Sequence, residues 1–302
     1  MRSSALISLI AAMSFTGANV PFGKAIVLEI PVLVFLAFRF AVASLALVVV
    51  VRDEPGPRLT ILDARRWGEI AVLAAVGSLL FTLFMLEGTR RTAAVDAGII
   101  TATIPATVAL IGTAVTRRLP TPGQGLLIGL AVAGLVAIQA GGGGGGASSL
   151  GGNALVGLAV ACEAIFVVVS QRTSALVRPI RLSLAVSLAS LALALPLAAW
   201  GWGSFDPSTV MWSTWLLAIW YALSSSVFCT ILWYRGAAHV PTWLAGLATA
   251  ALPVTAIVVS ALFLGEPVSG AQLAGAALVI VAIAAGAFSE ARAAEARRRA
   301  MQ

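Results

Sequence analysis

Ten long apolar segments divide this chain of 302 residues, and each is long enough to cross a membrane as a helix. Because 60% of the residues are hydrophobic and only 10% are charged, the chain lacks the polar surface that a soluble domain requires. The segments are continuously apolar rather than alternating, which favours helices over a barrel, since backbone groups in lipid must hydrogen-bond within their own segment. The sequence therefore predicts an all-α polytopic membrane protein with ten transmembrane helices. Their predicted bounds are roughly 3–27, 31–51, 67–87, 92–116, 123–140, 153–171, 178–200, 213–235, 241–264 and 268–289.

One eleven-residue phrase occurs twice. AGIITATIPAT (97–107) and AGLATAALPVT (245–255) match at six positions and start 148 residues apart, about half the chain. This spacing indicates an internal duplication, with each copy holding five helices. Since five is odd, the second copy must insert upside down relative to the first, as in secondary transporters whose site lies between inverted halves.

The duplication defines the predicted domains. The first five-helix repeat takes residues 1–140, a glycine-rich linker takes 141–152, and the inverted second repeat takes 153–290. A basic tail, 291–302, completes the chain. The two phrases contain Pro105 and Pro253, which free a backbone carbonyl and kink their helices. These kinks are either bending points for gates or fixed features of packing.

The basic residues predict an orientation. Fifteen of the 19 arginines and lysines fall in loops or ends on the side of Arg2, whereas Lys24, Arg90 and Arg91 fall on the other. By the positive-inside rule, both termini face the cytoplasm of a multi-pass protein in a bacterial-type inner membrane. The basic residues are too dispersed to predict a nucleic-acid surface.

No pattern in the sequence predicts an enzyme. Metal-ligand clusters, a nucleophile elbow, a Walker loop and a Rossmann fingerprint are all missing, and His239 is the single histidine. We therefore expect no catalytic residue, no metal site and no cofactor. Cys162 and Cys229 fall inside apolar runs, which indicates small buried side chains rather than a disulfide.

Polar residues inside the spans are the candidates for function, because an ionisable group in a membrane is costly and usually faces the bundle interior. Glu163 lies near the centre of the sixth span and either meets a substrate amine or a proton in a central cavity, or forms a structural contact with another helix. Arg39, in the second span, is the expected counter-charge, with a structural role as the alternative. Asn19, in the first span, lines the cavity or hydrogen-bonds between helices, and Phe15 shares its face.

Hydroxyl and aromatic side chains add to the predicted cavity. Ser78 and Thr82 stack on one face of the third span, and Trp220 and Ser224 do so on the eighth. These hydroxyls either face the cavity or bond back to their own helix. The ring of Trp220 would offer a cation–π contact to an amine.

Several motifs carry a family resemblance. GANVPFGK (17–24), FRF (38–40), the repeated phrase and LGEPVSGAQLAGAALVIVAIAAG (264–286) stand in an order typical of the ten-helix EamA-type exporters of the drug/metabolite transporter superfamily. The whole chain resembles this family and is similar to its aromatic amino-acid exporters. Two departures occur: Arg-Arg-Leu-Pro (117–120) replaces a Gly-Glu-Pro turn, and Glu163 stands where relatives often have an aromatic residue.

The resemblance implies two inverted five-helix repeats around a central cavity and export of amino acids or related metabolites. We expect alternating access, with Glu163 and Asn19 contacting the polar end of the solute and with Trp220 and Phe15 contacting its apolar part. The implied partners are a small-molecule substrate and the lipid bilayer, with protons as a candidate coupling ion. The alternatives are a proton-coupled multidrug or cation exporter, in which Glu163 titrates, and a non-transport membrane scaffold.

Overall fold

The protein is described here from a computed structural model, which covers residues 3–54, 63–92, 94–117, 119–141, 149–203, 205–264 and 267–299. The predicted glycine-rich linker lies outside the described residues from 142 to 148, and so do Gly265 and Glu266 of the Gly-Glu-Pro turn.

Ten helical segments run through the described residues, one for each apolar segment of the sequence, and the predicted fold class is confirmed. Among the described residues, nine helices are long and apolar enough to span a membrane, and α1 contains a shorter apolar stretch. The bounds are α1 Ser3–Glu29, α2 Val32–Val50, α3 64–91, α4 94–116, α5 Pro122–Gly141, α6 Leu150–Ser174, α7 Pro179–Trp202, α8 212–237, α9 242–264 and α10 Gly270–Arg299.

Glu29 at the end of α1 accepts a hydrogen bond from Met211 N–H before α8, and Glu54 after α2 accepts one from Arg181 N–H at the start of α7. These contacts fit successive helices that run in opposite directions, with the start of α1 and the end of α10 at the same end of the bundle. We call this the terminal end and the other the distal end. Polar side chains begin the fifth helix of each copy in the same way. The Thr121 N–H donates to Gln124 Oε1 at 2.9 Å at the start of α5, and Ser269 and Gln272 repeat this contact at the start of α10.

The helix contacts show a pseudo-two-fold arrangement. α1 packs on α8 and α9 from the second half, and α6 packs on α3 and α4 from the first half. α2 packs on α7, and α5 on α10, so each contact maps onto a counterpart when the two halves are exchanged. Two three-helix groups result: the α1 bundle (α1, α8 and α9) and the α6 bundle (α3, α4 and α6). Each combines the first helix of one half with the third and fourth of the other.

In the part of the chain that the structure describes, four helices are interrupted, and the interruptions also occur in symmetric pairs. α3 contains a π-helical segment at Leu73–Leu80, and α8 contains one at Ser224–Phe228. α4 breaks into Ala94–Thr101 and Ile104–Thr116, and α9 breaks into Thr242–Ala248 and Ala251–Leu264. The breaks in α4 and α9 lie just before Pro105 and Pro253, which have no N–H to continue the helical ladder. Such π segments and breaks often mark functional sites in helices.

The largest apolar core lies towards the terminal end and joins both bundles. It contains the first turns of α1 (Leu6, Leu9), the start of α9 (Leu244, Leu247) and the last turns of α8, including Trp233. Smaller apolar clusters at the distal end stay on the flanks: Ile26, Ile30 and Phe35 form one of them. The bundle is therefore solidly packed at its terminal end and divided at its distal end.

Candidate functional site

A cavity of about 750 Å³ lies between the two bundles. Its volume falls in the range typical of small-molecule sites. The lining includes Val32, Gln139, Pro267 and Val268, which all lie at the distal ends of their helices or in the loop before α10. The cavity therefore opens at the distal end.

Aromatic rings close the other end of the cavity. Phe166 of α6 stacks on Trp233 of α8, with ring centroids 5.8 Å apart, and its centroid is 6.4 Å from that of Tyr234. Trp233 and Tyr234 are each only 1% exposed. Because these rings belong to different bundles, the contact between them seals the path towards the terminal end.

Glu163 lies halfway along α6 and lines the cavity. It is about 20 Å from the distal start of the helix, given a rise of about 1.5 Å per residue. Within the described part of the chain, no hydrogen bond or ion pair reaches its carboxylate. A carboxylate that faces a cavity without a partner can accept a hydrogen bond or a positive charge from a ligand.

Arg39 of α2 lines the same cavity. Its Nε donates a 2.8 Å hydrogen bond to Ser226 Oγ in the π segment of α8, and its guanidinium lies 4.8 Å from the centroid of Phe40 and 5.6 Å from that of Tyr221. No ion pair joins Arg39 to Glu163 in the described structure. The expected counter-charge thus shares the cavity with Glu163 but is oriented by Ser226 and by aromatic rings.

The predicted hydroxyl pair of α3 lies in the cavity wall. Ser78 and Thr82 both line it, and Thr82 Oγ1 donates to the Ser78 carbonyl at 2.7 Å. Thr230, 148 residues after Thr82, makes the same bond to the carbonyl of Ser226 at 2.8 Å and also lines the cavity. Thr82 and Thr230 each bond back to their own helix and also line the cavity, and a role of these hydroxyls in substrate binding stays a prediction.

Asn19 and Ser224 meet each other rather than the cavity. Asn19 is 2% exposed, and its Nδ2 donates to Ser224 Oγ at 2.7 Å and to the Phe15 carbonyl at 3.0 Å. Ser224 Oγ in turn donates to the Trp220 carbonyl at 2.7 Å. These bonds fasten α1 to α8 within one bundle, and neither residue is part of the cavity lining in this structure.

Two predicted aromatic residues also lie outside the cavity lining. Trp220 is 50% exposed and Phe15 is 37% exposed, and the Phe15 ring packs 6.5 Å from Phe228, itself half exposed. Neither is part of the cavity wall in this structure, and their substrate contacts stay predictions.

Other aromatic residues that the sequence analysis did not single out form the cavity wall. Tyr221 follows Trp220 directly and lines the cavity, with its ring 5.3 Å from Phe35 of α2 in an edge-to-face contact. Gln139 and Gln272 add amide groups near the mouth. The sequence could not distinguish Tyr221 from Trp220, because the lipid-facing and the cavity-facing surfaces of a membrane helix both accept aromatic rings.

The two repeated prolines line the cavity from opposite bundles. Pro105 lies in the first turn of the second part of α4, and Pro253 does so in α9. Thr101 and Thr249, four residues earlier in each case, also line the cavity. The helix breaks therefore border the cavity directly. No group of residues suited to a metal ion occurs in the described ranges.

The sequence matches the profile of the EamA-like transporter family twice, at residues 3–139 and 150–285. This chain belongs to the EamA-like transporter family. It is 33% identical over 259 residues to the "Uncharacterized transporter YetK" of Bacillus subtilis (strain 168), an alignment that covers 84% of this chain and 78% of that protein. A protein of known crystal structure with 18% identity superposes with a TM-score of 0.78, over 94% of this chain and 98% of the other, and supports the fold. The protein is a multi-pass membrane transporter of this family.

Proposed function

We propose that this transporter exports small amino-acid-like metabolites, including aromatic or other hydrophobic amino acids, across the inner membrane by alternating access. The observation that carries the proposal is a cavity that presents Glu163 without a partner and Arg39 in the same enclosed space. A solute with one ammonium and one carboxylate group complements this pair of charges. Tyr221 and Phe35 offer aromatic surface to its side chain.

The two inverted repeats, residues 1–140 and 153–290, supply one gate each in this proposal. The described state is open at the distal end and closed at the terminal end. If both termini face the cytoplasm, this is the outward-open state. Bending at the breaks beside Pro105 and Pro253 would open the other end.

Substrate flux through purified protein in proteoliposomes tests the proposal. A panel of labelled amino acids is compared with matched analogues that lack either the amine or the carboxylate. Zwitterionic amino acids should be transported best, and removal of either charge should lower uptake about tenfold or more, because charged hydrogen bonds are lost.

The first prediction concerns the carboxylate itself. Glu163→Gln should lower kcat/KM for amine-bearing substrates about 10-fold to 100-fold without unfolding the protein, since the amide carries no charge to meet an ammonium. Glu290→Gln, the same change near the end of α10 and outside the cavity lining, is the control and should keep wild-type flux. Wild-type export by Glu163→Gln would remove Glu163 from the mechanism.

The same assay distinguishes a proton-coupled cation exporter from the proposed amino-acid exporter. In that case lipophilic cations would be transported in place of zwitterions, flux would depend on an imposed pH gradient, and Glu163→Gln would abolish that dependence. The observation that favours this second function is that Glu163, which has no partner among the described residues, shares its cavity with aromatic rings.

A further inference from the structure

A polar contact joins the two bundles at the terminal end of the cavity, beyond the aromatic seal. Gln171, in the last turn of α6, donates from Nε2 to the carbonyls of Ala237 (3.3 Å) and Val240 (2.9 Å), where α8 ends. Thr242 Oγ1, at the start of α9, donates to Gln171 Oε1 at 2.6 Å. One amide side chain of the α6 bundle thus contacts the end of α8, the loop that follows it and the start of α9.

A second bond between the bundles lies one residue deeper. Trp233 Nε1 donates to Ser170 Oγ at 2.9 Å, and Ser170 is fully buried. Because a helix leaves its last carbonyls without partners, the Ala237 carbonyl needs a donor when water is excluded. Separation of the bundles here would leave Gln171 and these carbonyls unpaired until water entered from the terminal side.

The corresponding positions at the distal end carry residues that cannot repeat these bonds. With the offset of 148 residues that relates the two copies, Gln171 corresponds to Gly23 and Thr242 to Ala94. Neither counterpart has a side chain that can hydrogen-bond, and Gly23 lines the open cavity. The two ends of the cavity therefore carry different residues at positions that the duplication relates, and Gln171 and Thr242 have no polar counterpart.

We propose that Gln171 is a latch that holds the terminal end of the cavity closed and thereby biases the resting protein towards the distally open state. The proposal rests on the alternating access proposed above. A latch of this kind acts on the conformational equilibrium and does not contact the solute. Its removal should shift the population towards a terminally open state.

Labelling of a cavity cysteine from each side of the membrane tests the latch without any substrate. Cys162→Ala and Cys229→Ala remove the two native thiols, and Ser225→Cys places a reporter in the cavity wall. The probe is a membrane-impermeant maleimide, applied to vesicles of defined orientation. In this parent the distal side should label faster. Gln171→Leu should raise the ratio of terminal-side to distal-side labelling rates about tenfold.

Two further variants provide a second test of the latch and a matched control. Thr242→Val removes one of the three bonds to Gln171 and should shift the ratio in the same direction by a smaller factor; it carries the test if Gln171→Leu does not fold. Gln124→Leu is the matched control, since Gln124 also lies at the terminal end but bonds to Thr121 at the start of its own helix.

Two outcomes would contradict the proposed latch. A ratio within twofold of the parent in folded Gln171→Leu, or an equal shift in Gln124→Leu, overturns the latch. If the proposed substrate class is wrong, only the flux assay will show it, because the labelling ratios are measured without substrate. The two proposals can therefore be tested independently.

Discussion

At the scale of single residues, short polar bonds between helices fix the α1 bundle. Asn19 donates to Ser224, and Ser224 donates to the carbonyl of Trp220, so three groups form one chain of hydrogen bonds from α1 to α8. Asn19 Oδ1 is buried and has no hydrogen-bond partner among the described residues. In an apolar environment, loss of one partner leaves the other without a hydrogen bond, so the effects of the two residues on stability should not be additive.

A double-mutant cycle measures this coupling. Asn19→Ala and Ser224→Ala should each lower the stability of the purified protein, and the double variant should lose about 1 kcal/mol less than the sum, a size seen for bonds between membrane helices. The measurement is unfolding in mixed micelles. Ser8→Ala, which removes only a bond to Ser4 within α1, should be additive with Ser224→Ala. Additive losses for Asn19 and Ser224 would contradict the coupling.

At the scale of helices, glycines permit the close crossings that hold the bundles together. A Cβ atom on Gly236 of α8 would lie 2.5 Å from the Ala5 carbonyl oxygen and 2.7 Å from Leu9 Cγ, both in α1. Its counterpart Gly88 faces α6 in the same manner, since an added Cβ atom would lie 2.7 Å from a methyl group of Val156. Because backbone cannot move aside as a flexible side chain can, the helices would have to separate.

Gly236→Ala should therefore destabilise the protein by about 2 kcal/mol or more through overpacking. Thermal unfolding in detergent measures the loss. Gly157→Ala in α6 is the matched control, since nothing lies within 4 Å of its added Cβ, and it should leave the melting temperature unchanged or slightly higher. An equal melting temperature for both variants would show that α1 and α8 are not in this close contact.

The sequence predicted the helices well and their interruptions poorly. All ten segments were recognised because a continuous apolar run can satisfy its backbone in lipid only as a helix. The π segments of α3 and α8 were missed, since hydrophobic periodicity carries no signal for a change in hydrogen-bond pattern when every face is apolar. Pro105 and Pro253 did predict kinks, but the turns at Ala102–Thr103 and Thr249–Ala250 came only from the structure.

The same reasoning explains which cavity residues could be found. Charged, hydroxyl and proline residues within spans indicated Glu163, Arg39, Ser78 and Thr82, all of which line the cavity. Aromatic residues could not be assigned, because in a membrane protein the lipid-facing and cavity-facing surfaces both accept rings. Thus Trp220 was selected from sequence while its neighbour Tyr221, which lines the cavity, was not.

At the scale of the whole molecule, the pseudo-two-fold packing requires an even number of crossings and places both termini at one end. The positive-inside rule then predicts which end this is, because the sequence assigns fifteen basic residues to the loops and ends on the side of the termini and three to the opposite side. The helical continuation of α10 to Arg299 carries the basic tail beyond the last apolar turn on the same side. The cavity in the described state would then face away from the cytoplasm.

Protease protection of tagged protein in membrane vesicles tests this orientation. Tags at the two termini should be digested in inverted vesicles and protected in right-side-out vesicles, because the positive-inside rule predicts that both ends face the cytoplasm. A tag in the loop between α7 and α8, at the distal end beside Asp206, should show the reverse pattern and serves as the internal control. If the termini were digested on opposite sides, one helix would fail to cross, and the inverted repeat that encloses the cavity could not form. If both termini were digested in right-side-out vesicles instead, the repeat would stand and the described state would open to the cytoplasm.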